Sequence, residues 1–565
     1  MTKLWFMDYA VMTIHLFLMA GIGFFFYKYI KNANDFFKSS NRLPWGVAGL
    51  SCFMSNFSAW TFTGGAGFIY INGISGAAIL WGTSVAVLFA YFFLAHRWRR
   101  SRVMTITEFL AERYNGVVHQ FYSWIYLIMK WFIVGLQLLA MNIFISVAVG
   151  LDLKLLIILT GIVLLIYTVL AGLWGVAISD VLQFIILVPV TIVAVPLSLR
   201  ATGGITNLIK NVPDGYFSFG YGEASIFFII GWTLLMLFGN NSNATVQRYF
   251  SVRDEKAAKK VALITAVLYF FGVFMWMIPS MAARVVAPDL AGMFAGQMKN
   301  GAEASYVYMC IKVLPHGMIG ILLGAIFAAT MSSLDSSYNV MAAIMVKDIY
   351  NKFINPKASP QRLLLVGRIF TIILGISTIA LALYMIRHEG GVFGVMKDIS
   401  QVLTVPIGSA LILGLLIRKT PAWTALFTFA ITFPVAYVTR YVYNLHLGYQ
   451  ACIVVGTAVL SFWITKIFWN KTAKKDRNQI EGFFNKLDTP IDVAKELSEK
   501  VATDTLSVLR VVGVLTLCVG LMVTVPVFFL QKQISIYITL CTGGALLLAG
   551  LFMIFKGKRA AYTTI

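Results

Sequence analysis

The apolar residues of this chain come in runs of about 20, repeated from one end to the other, and this fixes the solvent in which it folds. A helix of about 20 residues spans about 30 Å, the thickness of bilayer hydrocarbon. In lipid every backbone N–H and C=O must be paired within the structure, so such runs read as helices. Counting them gives about fifteen spans, and the fold class is an all-α polytopic membrane protein. Composition agrees: of 565 residues, 59% are hydrophobic and 12% charged, with a mean hydropathy of +0.82. That balance excludes a string of soluble domains. The formal charge of +22 does not point to nucleic acid, because Lys and Arg sit in short loops between the runs, as positive-inside topology requires.

Other function classes drop out on particular residues. Cys52, Cys452, Cys518 and Cys541 lie inside apolar runs without CxxC spacing, so neither a disulfide framework nor a metal site is read from them. His15, His96, His119, His316, His388 and His446 are scattered, with no metal or triad spacing, which argues against a membrane enzyme. The first run, Phe6 to Tyr27, carries Asp8, lacks an A-x-A cleavage pattern and precedes Lys28, Lys31, Lys38 and Arg42. It reads as an uncleaved first span with the N-terminus outside.

From there the basic segments HRWRRSR, QRYFSVRDEKAAKK, RKT and KGKR fall on one side, so the C-terminus is expected in the cytoplasm and the protein in the plasma membrane, a bacterial inner membrane by preference. The expected divisions are an extra span with its loop (1–43), a first five-helix block (44–199), an external loop (200–223), a second five-helix block (224–420) and accessory helices (421–565). The hydrophilic loop 470–505 contains GFFNKLDTPIDVAKELSEK and is expected to form an amphipathic helix lying on the cytoplasmic face of the membrane.

Three stretches break the regular array. SNFSAWTFTGGAG, Ser55 to Gly67, puts polar and glycine residues mid-membrane in the second span, and GNNSNATVQR, Gly239 to Arg248, does so at the end of the seventh. Two interruptions at the starts of successive five-span blocks are the trace of an inverted repeat with discontinuous helices around a midplane site. Unwound backbone at that depth is tolerated where it lines a cavity. The third stretch is AATMSSLDSS, Ala328 to Ser337. On a helix Ala329, Ser332, Ser333 and Ser336 share one stripe, with Asp335 beside it. A carboxylate at membrane depth is a functional hypothesis by default; for the serines, close helix packing is the competing explanation.

Five pieces in order, NDFFKSSNRLPWGVAGLS (Asn34 to Ser51), the broken SNFSA, YTVLAGLWGVAISDVLQ (Tyr167 to Gln183), VQRYFS (Val246 to Ser251) and AATMSSLDS, resemble the sodium/solute symporter family over Asp8 to about Ile417. The resemblance implies a core of two inverted five-helix repeats and coupling to one or two Na+ ions. Its shared sodium site would use the carbonyls of Met54, Phe57 and Ala329 with the polar groups of Ser332 and Ser333. Members related to the sialic acid symporter imply a second, deeper sodium or a proton site at Asp180, Ser332, Asp335 and Ser336.

Relative to the bacterial sodium/galactose member, the sugar-reading glutamine and glutamate are replaced here by Thr61 and Leu80. The remaining candidates for the solute pocket are Asn56, Ser58, Trp60, Thr61, Thr83, Lys130, Gln137, Asn240, Asn243 and Gln401. Lys130, deep in the long fourth span, is a candidate partner for a substrate carboxylate. The expected function is therefore sodium-coupled import of a small polar organic solute, a carboxylated sugar or small organic acid first, a neutral sugar or polyol second. A transporter-like membrane sensor is the alternative of another class. The partners implied are the solute, sodium and the lipid bilayer; the sequence carries no signal of oligomeric state.

Overall fold

The computed structural model describes residues 4–14, 43–55, 58–103, 105–170, 175–242, 244–295, 297–496 and 533–562, with short pieces between 513 and 527. Among the described residues, ten helices are long and apolar enough to cross a membrane, and three shorter apolar helices join them. The first expected span, Phe6 to Tyr27, and the one at Val508 to Leu530 lie largely outside the described residues.

In chain order, α1 (6–14) precedes α2 (Trp45–Ser55) and α3 (Thr61–Arg100). α3 is two arms, because Gly73 takes φ 58° and ψ −133° and reverses the chain. Only glycine fits there: a Cβ would lie 2.0 Å from the Tyr216 carbonyl oxygen. Then come α4 (Ile106–Arg113), α5 (Gly116–Val149), α6 (Leu153–Leu170), α7 (Gly175–Ala201), α8 (Ile205–Lys210) and α9 (Ile226–Asn240).

The second half runs α10 (Ala244–Phe250), α11 (Glu255–Val286), α12 (Leu290–Phe294), α13 (Ser305–Val313), α14 (Met318–Ile344), α15 (Pro360–Met385) and α16 (Gly391–Leu416). α17 (Thr424–Val442), α18 (Leu447–Lys471), α19 (Lys474–Asp488) and α20 (Gln533–Tyr562) follow.

Burial sorts these helices into centre and rim. α14 and α16 are the most enclosed of the spans, and α15 and α20 the least. On α15, Ile369, Ile372, Ile373 and Ile376 are exposed at i, i+3, i+4 and i+7, a stripe that suits contact with lipid. Both expected interruptions are real. α2 ends at Ser55, before α3, and α9 ends at Asn240, before α10. The second halves cross back onto the first: Arg248 of α10 donates from Nε to the Ser51 hydroxyl of α2 at 2.9 Å, and Leu43 forms a parallel bridge with Val252.

The basic segments gather at one end of the bundle. Arg99 donates to the carbonyls of Val252 and Arg253 at 2.6 and 3.0 Å, and Arg100 pairs with Glu255 at 2.9 Å. The amphipathic helix expected on the membrane surface, α19, packs on the protein at this end instead. Ile480, Phe483, Phe484 and Leu487 form its buried face, and Gln479 Nε2 donates to the carbonyls of Ala111, Glu112 and Tyr114 at the end of α4. Those carbonyls are orphaned by the helix terminus and need a donor, which a lipid surface would not supply. Arg418 pairs with Asp488 and Arg102 with Glu496, at 2.9 and 2.7 Å, tying the segment across several spans. The Arg102 guanidinium holds the Glu496 carboxyl below its ordinary range.

α16 is held at both ends by side chains that satisfy its terminal backbone groups. At its last turn the fully buried Arg113 donates to the carbonyls of Gly414 and Ile417 and to the Thr420 hydroxyl, at 2.9, 3.1 and 2.6 Å, and Arg97 donates to the Leu415 carbonyl at 3.1 Å. At its first turn sits the Glu303 carboxyl.

Candidate functional site

The break between α2 and α3 lies against the middle of α14. The Ala59 N–H, freed by the interruption, donates to Thr330 Oγ1 at 3.1 Å, and the same hydroxyl donates back to the Ile326 carbonyl at 2.8 Å. One side chain thus sets the start of the second half-helix on the polar stripe. Of the residues expected to hold the shared sodium, Met54 and Ala329 are buried at the break and on the stripe. Ser333 Oγ accepts from Gln137 Nε2 of α5 at 3.4 Å. The Ser332 hydroxyl is buried and has no hydrogen-bond partner, an unsatisfied group of the kind a ligand would complete. Phe57, like Asn56 and Asn243, lies outside the described residues.

One turn further along α14, Asp335 is 2% exposed. Its Oδ1 accepts from Asn339 Nδ2 at 3.4 Å. The Thr168 hydroxyl of α6, also buried, lies within reach of the same carboxyl as a donor. Burying a carboxylate without a countercharge is costly, and among the described residues neither of these neighbours carries a positive charge. Asp180 belongs to α7, but its side chain, like that of Ser336, is outside what is described. Of the four residues expected at the deeper site, Ser332 and Asp335 are the two whose side chains are described.

The pocket candidates fall into two groups. Thr61 opens a wide, five-residue turn of π-helix, Thr61–Gly65, and Gln401 lies in another, Ser400–Thr404, within α16; such turns often accompany functional sites. Gln401 donates to Gln450 of α18, which in turn donates to the Ala436 carbonyl at 3.0 Å. Gln137 and Gln401 each keep one buried amide atom unpaired. Ser58 is buried, and Trp60 keeps its indole N–H unpaired. Asn240 donates to the Met236 carbonyl of its own helix at 3.1 Å. Its neighbour Asn241 bridges to the Ala86 carbonyl of α3 at 3.0 Å.

Two candidates are less engaged. Thr83 is half-buried beside Gly82, whose Cα face abuts Thr233 of α9. Lys130 lies two turns from Gln137 along α5, with Nζ 5.5 Å from the centre of the Tyr126 ring. Its recorded contact is thus a cation–π one on its own helix.

An aromatic layer closes this region at the end opposite the basic segments. Phe68 of α3 stacks on Phe393 of α16 with ring centres 4.0 Å apart, and Phe393 stacks on Trp232 of α9 at 5.3 Å and on Trp60 at 6.3 Å. Phe68, Phe393 and Trp232 are all buried. Gly64 permits the approach: a Cβ there would lie 3.0 Å from Phe393 N. Ser332, Ser333, Gln137 and Asn240 below the layer are only half-buried.

Thr330, Gln450 and three members of this aromatic layer, Phe68, Trp232 and Phe393, were missed by sequence reasoning. Thr330 had a signal, since it lies inside AATMSS three residues before Ser333. The others depend on helices far apart in the chain, and no spacing marks them.

Set beside known proteins, residues 36–431 match the family described as the sodium:solute symporter family. The chain is 26% identical over 459 residues to human sodium/myo-inositol cotransporter 2, covering 73% of this chain and 66% of that protein. It is 23% identical over 490 residues to sheep (Ovis aries) sodium/glucose cotransporter 1, covering 79% and 73%. Among solved structures, a substrate-bound, outward-open Na+-coupled sialic acid symporter superposes with a TM-score of 0.69 at 22% identity, covering 83% of this chain and 98% of that one.

Proposed function

We propose, from the premise that the chain belongs to the sodium:solute symporter family, that it imports a small polar organic solute by sodium-coupled alternating access. The observation that carries this is the placing of the helix break on the α14 stripe by the Ala59–Thr330 hydrogen bond, next to the unpaired Ser332 hydroxyl. Carbonyls released at the end of α2, with the hydroxyls of Ser332 and Ser333, make an all-oxygen set suited to a small hard cation. Asp335 is assigned the deeper site, taking a second sodium or a proton. The basic end of the bundle is assigned to the cytoplasm on the positive-inside rule, which puts the aromatic layer outside. With that layer shut and the residues beneath it half-buried, the conformation is closed to the exterior.

For the solute, the unpaired amide atoms of Gln137 and Gln401 favour a neutral, polyhydroxylated molecule, whose hydroxyls both donate and accept. The similarity to a myo-inositol cotransporter and a glucose cotransporter agrees with that reading. A carboxylated sugar or small organic acid is the second reading, and Lys130 is what favours it. The energetics suffice for either. One sodium crossing about 100 mV down an about tenfold gradient releases about 3.7 kcal/mol, enough for about 500-fold accumulation of a neutral solute.

A thermal-shift screen of the purified protein with polyols, hexoses and sugar acids, in sodium and in choline, tests the assignment. The reading expects a polyol or neutral sugar to stabilise the protein in sodium only. Stabilisation by sugar acids alone, lost in Lys130→Ala, would replace it with the second reading.

A further inference from the structure

The buried acid on the closed side of the site belongs to none of the roles assigned above. Glu303 lies in the short turn Gly301–Ala304 between α12 and α13, outside the spans, and is 1% exposed. Its Oε1 accepts from the Phe393 N–H at 3.1 Å, and the Val392 N–H also bonds to the carboxyl. These are first-turn donors of α16, which has no side-chain cap of its own, so a residue about 90 positions away in the chain supplies the cap.

Two glycines make room for this. At Gly391 (φ +60°) a Cβ would lie 2.5 Å from Glu303 Oε1, and at Gly67 of α3 one would lie 2.8 Å from Glu303 N. Glu303 is thereby wedged between the first arm of α3 and the start of α16. Those are the two elements whose Phe68 and Phe393 rings form the closing layer.

We propose that Glu303 is the positioning residue of the external gate: its carboxyl clasps the first turn of α16 while the aromatic layer is shut and releases it as the layer opens. The inference rests on the alternating-access reading. Opening must separate α3 from α16 at the layer, and a carboxyl held in the seam cannot keep both its N–H donors and its burial once they part. Released, Glu303 meets water.

The exchange carries a proton. Burial, offset in part by the N–H groups of Phe393 and Val392, pushes the Glu303 carboxyl up to about 8 in the closed form. In water it returns to about 4.3. The closed form therefore holds the proton more tightly. Its advantage is complete below about pH 4 and is lost as the pH rises through about 8.

Among the residues lining the small cavity beside Glu303, the one other ionisable group is Lys299, just before that turn. α5, α6 and α15 present Leu139, Leu153 and Met385 there. His388, before α16, is engaged with Asp398 at 3.2 Å, and Arg440 of α17 with the same carboxylate at 2.7 Å.

The test uses the full chain in intact cells, with its native cysteines replaced and a reporter at Thr61→Cys beneath the layer, labelled from outside by a membrane-impermeant thiol reagent. Three forms are compared: Glu303, Glu303→Gln and Glu303→Ala. The Gln side chain mimics the protonated acid and keeps the acceptor. Taking the rate relative to Glu303→Gln at each pH cancels ionisation of the reporter thiol. That ratio should rise at least about threefold between about pH 6 and 9. Glu303→Ala should label at least about threefold faster than Glu303→Gln at every pH.

A ratio flat in pH, or equal rates for the Ala and Gln forms, would overturn the proposal. If Glu303→Ala does not fold, the Glu303 to Gln ratio decides alone. Sodium-independent uptake by the parent would defeat the symport reading, and the labelling ratio would still judge the clasp.

Discussion

Thr330→Val is the sharpest structural test of how the sodium site is assembled. Valine keeps the shape of threonine and removes the acceptor that the Ala59 N–H uses at 3.1 Å. Both residues are fully buried, so the N–H is left unpaired at a cost of about 1–3 kcal/mol. The second bond of the hydroxyl, to the Ile326 carbonyl, lies within one helix and adds little. If the Ala59–Thr330 bond sets the arrangement that binds sodium, that cost appears as about 5- to 150-fold weaker binding. The assay is the sodium dependence of solute uptake in proteoliposomes, with Thr330→Ser as the control that keeps the hydroxyl and should restore the parent value. A half-saturating sodium concentration for Thr330→Val within about twofold of the parent would refute the reasoning.

Ser333→Ala removes a proposed sodium ligand and the acceptor for Gln137; half-saturating sodium should rise by about tenfold, for a loss of about 1.4 kcal/mol, with solute stereospecificity unchanged in competition assays. Asp335→Asn keeps the shape of the buried acid and removes its charge, so the measured ratio of charge to solute should fall by one whether the deeper site carries sodium or a proton. A matching fall in the ratio of sodium to solute assigns the site to sodium, and a constant sodium ratio with loss of the pH dependence of uptake assigns it to a proton. Arg113→Leu leaves the last carbonyls of α16 and the Thr420 hydroxyl without their donor and should destabilise the protein by about 3 kcal/mol, read as a lowered melting temperature in detergent.

Much of the fold is written in local chemistry. The apolar runs, the polar break at Ser55 to Gly67 and the one at Gly239 to Arg248 can be read residue by residue, because bilayer thickness and backbone satisfaction act within a single span. The stripe on α14 is legible for the same reason, since helical period alone puts Ser332 and Ser333 on one face. What that period does not give is a partner across the bundle. Thr330 meets Ala59 over 271 residues, and Gln401 meets Gln450 from a helix beyond the matched residues 36–431.

Two placements turn on competing partners. α19 has the pattern of a surface helix, yet its apolar face found Phe109 of α4 and its Gln479 found carbonyls that lipid cannot satisfy. Lys130 is legible as an unusual cation in a long span, and its side chain here lies over the Tyr126 ring one turn away on the same helix.

The central claim, that solute movement is driven by sodium through this site, is tested most directly by uptake in proteoliposomes at a clamped membrane potential. The solute is the one identified by thermal shift, and an inward sodium gradient is compared with equimolar choline. The account predicts concentrative uptake in sodium, up to about 500-fold for one coupled ion at about 100 mV, and none above equilibration in choline. Equal uptake in the two media would contradict it.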